Sequence, residues 1–128
     1  MNLDWLAIQA YTNAREIGPV PKMEGVIASN GEASYFYALR VLHGRFEKGE
    51  KSISKIPSWA VRYARFIIRG RFEIAEIHIC SNPACCYEYF KHVVRQRLPE
   101  TMHQAMVMHS FENPKDPMVV KYFKEIEK

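Results

Sequence analysis

The sequence predicts an all-α protein of about four 26-residue helical-hairpin repeats with a C-terminal capping helix, stacked as a small α-solenoid or a compact helical bundle. Three observations carry this prediction. Tyr11, Tyr37, Tyr63 and Tyr89 recur at one interval, as do Gly18, Gly44 and Gly70, then Glu24, Glu50 and Glu76, then Ile27, Ile53 and Ile79. Helix-start and helix-stop residues fall at corresponding places in successive copies. No segment sustains the two-residue alternation of a half-buried strand.

The units run roughly over residues 5–30, 31–56, 57–82 and 83–109, and the whole chain, 1–128, reads as a single helical-repeat domain. Each unit opens on a long helix. Asn30-Gly31, Ile56-Pro57 and Asn82-Pro83 precede it; in the last pair Asn can accept from the orphan N–H groups while Pro takes the first helical position. After about three turns the helix meets Gly44 or Gly70, expected to close it in the left-handed conformation. A shorter helix follows, over Glu47 to Ser54 and Glu73 to Cys80, with Phe72, Glu76 and Ile79 at helical spacing. Tyr122-Phe123 echoes Tyr89-Phe90 but lies 33 residues on, which implies an insertion of about seven near Ser110 to Pro117 before a capping helix at 116–128.

At 128 residues, 48% hydrophobic and 25% charged, the chain has the composition of an ordinary globular domain able to bury a core without staples. There is no apolar run of membrane-spanning length, and Met1-Asn2-Leu3-Asp4-Trp5 lacks the basic and apolar regions of a secretory leader, so a soluble, cytoplasmic protein is expected. The three cysteines, Cys80, Cys85 and Cys86, crowd into one stretch, unlike a disulfide framework. They are expected to be reduced.

A zinc site built from His78, Cys80, Cys85, Cys86 and His92 is disfavoured by spacing. His78 and Cys80 point to different faces of a helix, and Cys80, Cys85 and Cys86 fall in columns that hold Ala28 and Ser54, Ala7 and Ala33, and Ser34 and Ala60 in other units. No metal and no cofactor are expected. Met102, Met106 and Met108 are read as core filling. Arg45, Arg71 and Arg97 with the repeated glutamates read as structural ion pairs, one per unit, rather than as an acid–base array. No nucleophile elbow, P-loop, dinucleotide fingerprint or metalloprotease motif is present, so no catalytic residue is nominated and the chain is read as a non-enzyme.

If Tyr63, Ile67 and Gly70 face the core, Arg62, Arg65 and Arg69 form a stripe on the opposite side of their helix, continued in the next unit by Glu88, Lys91 and Arg95. From Arg62 to Arg97 there are seven bases against three acids, which accounts for the chain's entire +4 excess. In the preceding unit the stripe is Phe36, Leu39 and His43, mostly apolar. The expected partner surface is therefore Arg62, Arg65, Arg69, Lys91, Arg95, Phe36 and Leu39. A face apolar at one end and cationic at the other suits an acidic protein better than a nucleic acid, which is the alternative partner. A third reading is a small-molecule-binding oligomer; the sequence leaves the oligomeric state open.

The strongest copies, Tyr37-Ala38 through Gly44-Arg45-Phe46 to Glu50 and Ile53, and Tyr63-Ala64 through Gly70-Arg71-Phe72 to Glu76 and Ile79, resemble a short helical repeat of uncharacterised tailed-phage and giant-virus proteins, with Phe in place of its Trp. The resemblance spans about 90 residues if degenerate copies are included. Gly18-Pro19 and Gln96-Arg97-Leu98 depart from it. It implies a helical scaffold without catalytic residues, and a phage-type accessory protein in the host cytoplasm that binds a host protein, whether to inhibit or to recruit it, as host-takeover and anti-defence factors do.

Overall fold

The computed structural model describes residues 3–128 and is all-α: no described residue is in a strand. The long helices are α1 (Leu3–Ile17), α3 (Gly31–Tyr37), α5 (Pro57–Tyr63) and α7 (Pro83–Tyr89); the last three continue into five-residue π-helical segments, Ala38–Leu42, Ala64–Ile68 and Phe90–Val94. The companion helices are α2 (Glu24–Ile27), α4 (Glu47–Ser54), α6 (Glu73–Ile79) and α8 (Glu100–Glu112), and α9 (Pro117–Ile126) ends the chain. Packing follows chain order in two layers. Long helices stack α1 on α3 on α5 on α7, with α9 against α7, while α2, α4, α6 and α8 stack beside them.

Local sequence explains the helix starts. Asn30 Oδ1 accepts from Ala33 N–H at 2.8 Å, Asn82 Oδ1 from Cys85 N–H at 3.2 Å, and Asp116 Oδ1 from Met118 N–H at 2.9 Å. Pro57, Pro83 and Pro117 occupy first-turn positions where no N–H is needed.

The helix stops correct the sequence reading. The left-handed residue is not Gly44 or Gly70 but the one before it: His43, Arg69 and Arg95 have φ of 54°, 59° and 61°. Each of these reversals directly follows a π segment. It closes through i→i−5 bonds, such as Arg95 N–H to Phe90 O at 2.8 Å, and the residue that follows it in each of the three units takes the left-handed conformation. Only in α1, which ends without a π segment, does the glycine itself turn left-handed, Gly18 at φ 95°.

The core repeats with the sequence. Tyr37, Tyr63, Tyr89 and Tyr122 are fully buried, as are Ile27, Ile53 and Ile79. Gly49 permits the close approach of α4 to α3: a Cβ there would lie 2.6 Å from Ser34 Cβ. In the next unit the corresponding pair is Ala60 and Ala75, both buried, so the same volume is divided differently. Met102 and Met106 are core residues, whereas Met108 is exposed, against the expectation for all three. Cys86 is buried, which pushes its thiol up to about 12, and Cys80 Sγ donates to Ile77 O. Among the described residues no group of three His, Cys, Asp or Glu side chains is placed to hold a metal. No described helix is long and apolar enough to cross a membrane.

Units are joined by a recurrent polar clamp. Arg45 grips Glu50 through two parallel hydrogen bonds of 2.8 Å, and Tyr63 of the next unit donates to the same carboxylate at 2.6 Å while accepting Phe46 N–H at 2.9 Å. Arg71, Glu76, Tyr89 and Phe72 N–H repeat the arrangement with distances within 0.1 Å. Burial raises the Glu50 and Glu76 carboxyls, but the arginine and tyrosine bonds outweigh it and hold both below the ordinary carboxylate value. Burial and the same carboxylates drive Tyr63 and Tyr89 well above the usual phenol range.

The end junctions use substitutes. Pro19 stands where the first unit would need its arginine, and Lys48 of the next unit reaches back to Glu24 at 3.0 Å while Tyr37 donates to it at 2.7 Å. At the other end Met102 replaces the glutamate. Tyr122 still accepts Leu98 N–H, at 3.3 Å, and its hydroxyl lies 2.6 Å from His103 Nδ1. Tyr122 thus fills the Tyr63 role across the seven-residue insertion.

Candidate interaction face

The C-terminal ends of the long helices lie side by side, because the π segments Ala38–Leu42, Ala64–Ile68 and Phe90–Val94 pack against one another in order. Two clefts open between them and a third between the last of them and α9. The first lies among Leu39, His43, Gly44, Phe66, Ile67 and Arg69; the second, about 370 Å³, among Arg65, Phe66, Arg69, His92, Val93 and Arg95. The third is bounded by Phe90, Lys91 and Arg95 with Glu125 and Lys128 of the terminal helix. Consecutive left-handed residues, His43, Arg69 and Arg95, edge these clefts, and each arginine serves two of them.

The sign of this face is set by the side chains. Helix C-termini present unsatisfied carbonyls equivalent to about half a negative charge each. Arg65, Arg69 and Arg95 are exposed whole charges at the same ends, so cations prevail. Arg65 stacks over Phe66 at 4.8 Å, and Phe66 keeps 46% of its surface exposed despite being aromatic. An apolar ring held among guanidinium groups can bury itself in a partner while those groups meet its anions.

The nominated residues separate into three groups. Arg65, Arg69 and Arg95 come together along the second cleft. Arg62 lies on the adjoining slope with Arg65, Phe66, Cys85 and Glu88, its guanidinium 4.9 Å from the Trp59 ring. Lys91 is drawn away: its ammonium pairs with Glu125 at 3.0 Å, and Tyr87 donates to the same carboxylate oxygen. Leu39 lines the first cleft half-buried. Phe36 is not an open patch, since Tyr11, Tyr35 and Trp59 pack around it with ring centroids 5.2–6.1 Å away and Arg40 covers it at 4.6 Å. The cover over the apolar end of the stripe therefore comes mostly from its own unit, through Tyr35 and Arg40, with Tyr11 of the first unit and Trp59 of the third completing it.

Tyr37, Tyr63, Tyr89, Arg45, Arg71, Glu50 and Glu76 are engaged in the inter-unit clamps and line none of these three clefts. Phe66 is the residue that the reading of arginine spacing passed over. Its signal lay in the repeat: the corresponding residues are Arg40 and His92, so an aromatic stands where both neighbouring units keep a polar side chain. Comparison of the chain with protein-family models, curated proteins and solved structures gives no match, and no residue role is carried over from a relative.

Proposed function

We propose that this protein is a non-enzymatic binding scaffold whose helix-end face engages an acidic protein partner. The observation that carries the reading is Phe66, an exposed aromatic ring that lines one cleft with Arg65 and Arg69 of its own repeat and Arg95 of the next. Interfaces draw their energy from a few such anchors, with arginine and aromatic residues prominent among them, while surrounding charges steer the encounter. Leu39 and Ile67 extend the apolar floor on one side. In the phage-type setting implied by the repeat resemblance, the partner is a host protein and the binding serves host takeover or counter-defence; both are part of this proposal.

A nucleic-acid partner is the second reading, favoured by the stacking of Arg65 on an exposed ring, a combination that also suits single-stranded bases. Capture of partners from host extract at two salt concentrations, with and without nuclease, tests the choice. The acidic-protein reading expects capture to survive nuclease, to weaken only moderately with salt, and to be lost in Phe66→Ala and in Arg65→Glu/Arg69→Glu. Loss of all capture on nuclease treatment with a steep salt dependence would establish the alternative. Unchanged capture by both variants would remove this face from function altogether.

A further inference from the structure

The three clefts repeat once per helical unit, and that period constrains the shape of what they hold. Packed helices lie about 8–10 Å apart, so the edging residues His43, Arg69 and Arg95 recur roughly every 8–10 Å along a line crossing the long-helix ends, the last two as arginines. A polyproline II segment advances about 3.1 Å per residue with three residues per turn, placing every third side chain on one side at intervals of about 9 Å. The two periods agree. An α-helical partner lying along the same line repeats every 5.4 Å and brings a given face back only at each turn, out of step with the clefts.

Resting on the acidic-protein reading above, we propose that the face binds an extended acidic segment with a carboxylate at every third residue, one seated against Arg69 at the first cleft and the next against the arginines of the second. Charge complementarity commits the occupant. The second cleft contains Arg65, Arg69 and Arg95 with no carboxylate among its lining residues, and Phe66 offers a ring to the apolar residue between two carboxylates. The third cleft ends the track, because Glu125 enters it and already neutralises Lys91. Two filled clefts correspond to a segment of about six to nine residues at three residues per unit.

The lack of a hydrogen-bonded edge on either partner suits this geometry, since a polyproline II backbone makes no internal hydrogen bonds and carries little ordering cost into the groove. A single-stranded nucleic acid repeats its charge without that three-residue spacing and should be indifferent to which helix-end arginine is removed first. The peptide should not be indifferent: Arg69 borders both of the first two clefts, so its loss should exceed that of Arg95.

The test uses the full chain and three synthetic probes of equal length, measured by fluorescence anisotropy: a nine-residue peptide with glutamate at every third position and proline or alanine between, the same composition with its glutamates contiguous, and a nine-nucleotide DNA strand. We expect the spaced peptide to bind at least tenfold more tightly than the contiguous one, and Arg69→Glu to abolish that difference while circular dichroism stays that of the wild type. Equal affinity for the two peptides, or tighter binding of the DNA than of the spaced peptide, overturns the inference. Equal peptide affinities combined with host-protein capture that still depends on Arg65 and Arg69 would overturn the extended-segment inference alone and leave the acidic-protein reading standing.

Discussion

The hydroxyl of Tyr63 donates to Glu50 Oε2 at 2.6 Å while accepting the N–H of Phe46 at 2.9 Å, so one side chain of the third unit satisfies two polar groups of the second. Tyr63→Phe removes a hydrogen bond to a charged group and orphans a buried donor. A loss of about 1.5–3 kcal/mol is expected in urea titration. Combined with Glu50→Gln, the double mutant should lose less than the sum of the singles, because both delete one clamp. Additive losses would mean that the two residues act independently.

Helix reversal at Arg69 rather than Gly70 makes different stability predictions at adjacent positions. A non-glycine residue in the left-handed region costs roughly 1–2 kcal/mol, and glycine's extra unfolded-state freedom offsets part of the relief, so Arg69→Gly should stabilise by about 0.5–1 kcal/mol. Gly70→Ala should be nearly neutral, as its φ is not positive and its nearest neighbour to a new Cβ is 4.0 Å away. A destabilised Arg69→Gly variant would show that the side chain contributes more to the fold than its exposure indicates. If Arg69 serves binding, the stabilised variant should bind poorly, a trade-off visible in one preparation.

Packing at Gly49 should be intolerant. Gly49→Ala forces atoms against Ser34 and Phe46, where a new Cβ would lie 2.6–2.7 Å from existing carbons, and overpacking of this kind costs about 1–3 kcal/mol. Adding Ser34→Ala recreates the alanine pair found at Ala60 and Ala75 and should recover part of the loss, although it gives up the Ser34 hydrogen bond to Ile27 O. Thermal melts of the three variants decide whether the recovery occurs.

Acid should unfold the protein in two stages. Burial first, and the nearby Arg97 charge second, lower the His103 pKa from 6.5, so its neutral form stabilises the fold fully above pH 6.5, and that stability is lost as pH falls below that value. Glu24, Glu50 and Glu76 are held below 4.5 against their own burial by hydrogen bonds, from Tyr37 and Lys48, Arg45 and Tyr63, and Arg71 and Tyr89 respectively. Their contribution is present above pH 4.5 and is lost as pH falls through the depressed values. Denaturation midpoints measured across pH should show both declines in the wild type and only the lower one in His103→Gln. A single step common to both proteins would place His103 outside the linkage.

The thiols should be inert in the folded state. With the Cys86 thiol raised to about 12 by burial, labelling by a thiol reagent at pH 8 should count Cys86 only after denaturant is added, and a chelator should leave the melting temperature unchanged. A fall in melting temperature on chelation would show that metal contributes to the fold.

What the sequence determined by itself is local or strictly periodic. The helical class, the 26-residue columns and the Arg45–Glu50 and Arg71–Glu76 pairs were legible, because partners five residues apart in a repeating pattern are fixed by the hairpin itself. The Tyr column was legible as buried, but not its bonds, which span 13 and 17 residues and exist only once one unit rests on the next. Stacking also decided the π segments, since an i→i−5 turn gives no propensity signal that separates it from an α turn, and with them the placing of His43, Arg69 and Arg95 at the reversal. Lys48 and His103 stand in for missing clamp members from outside the expected columns, which only contact between elements can assign. Phe66 became a binding candidate for the same reason: a side chain's value to a partner depends on what its neighbours leave uncovered, and those neighbours lie a full repeat away along the chain.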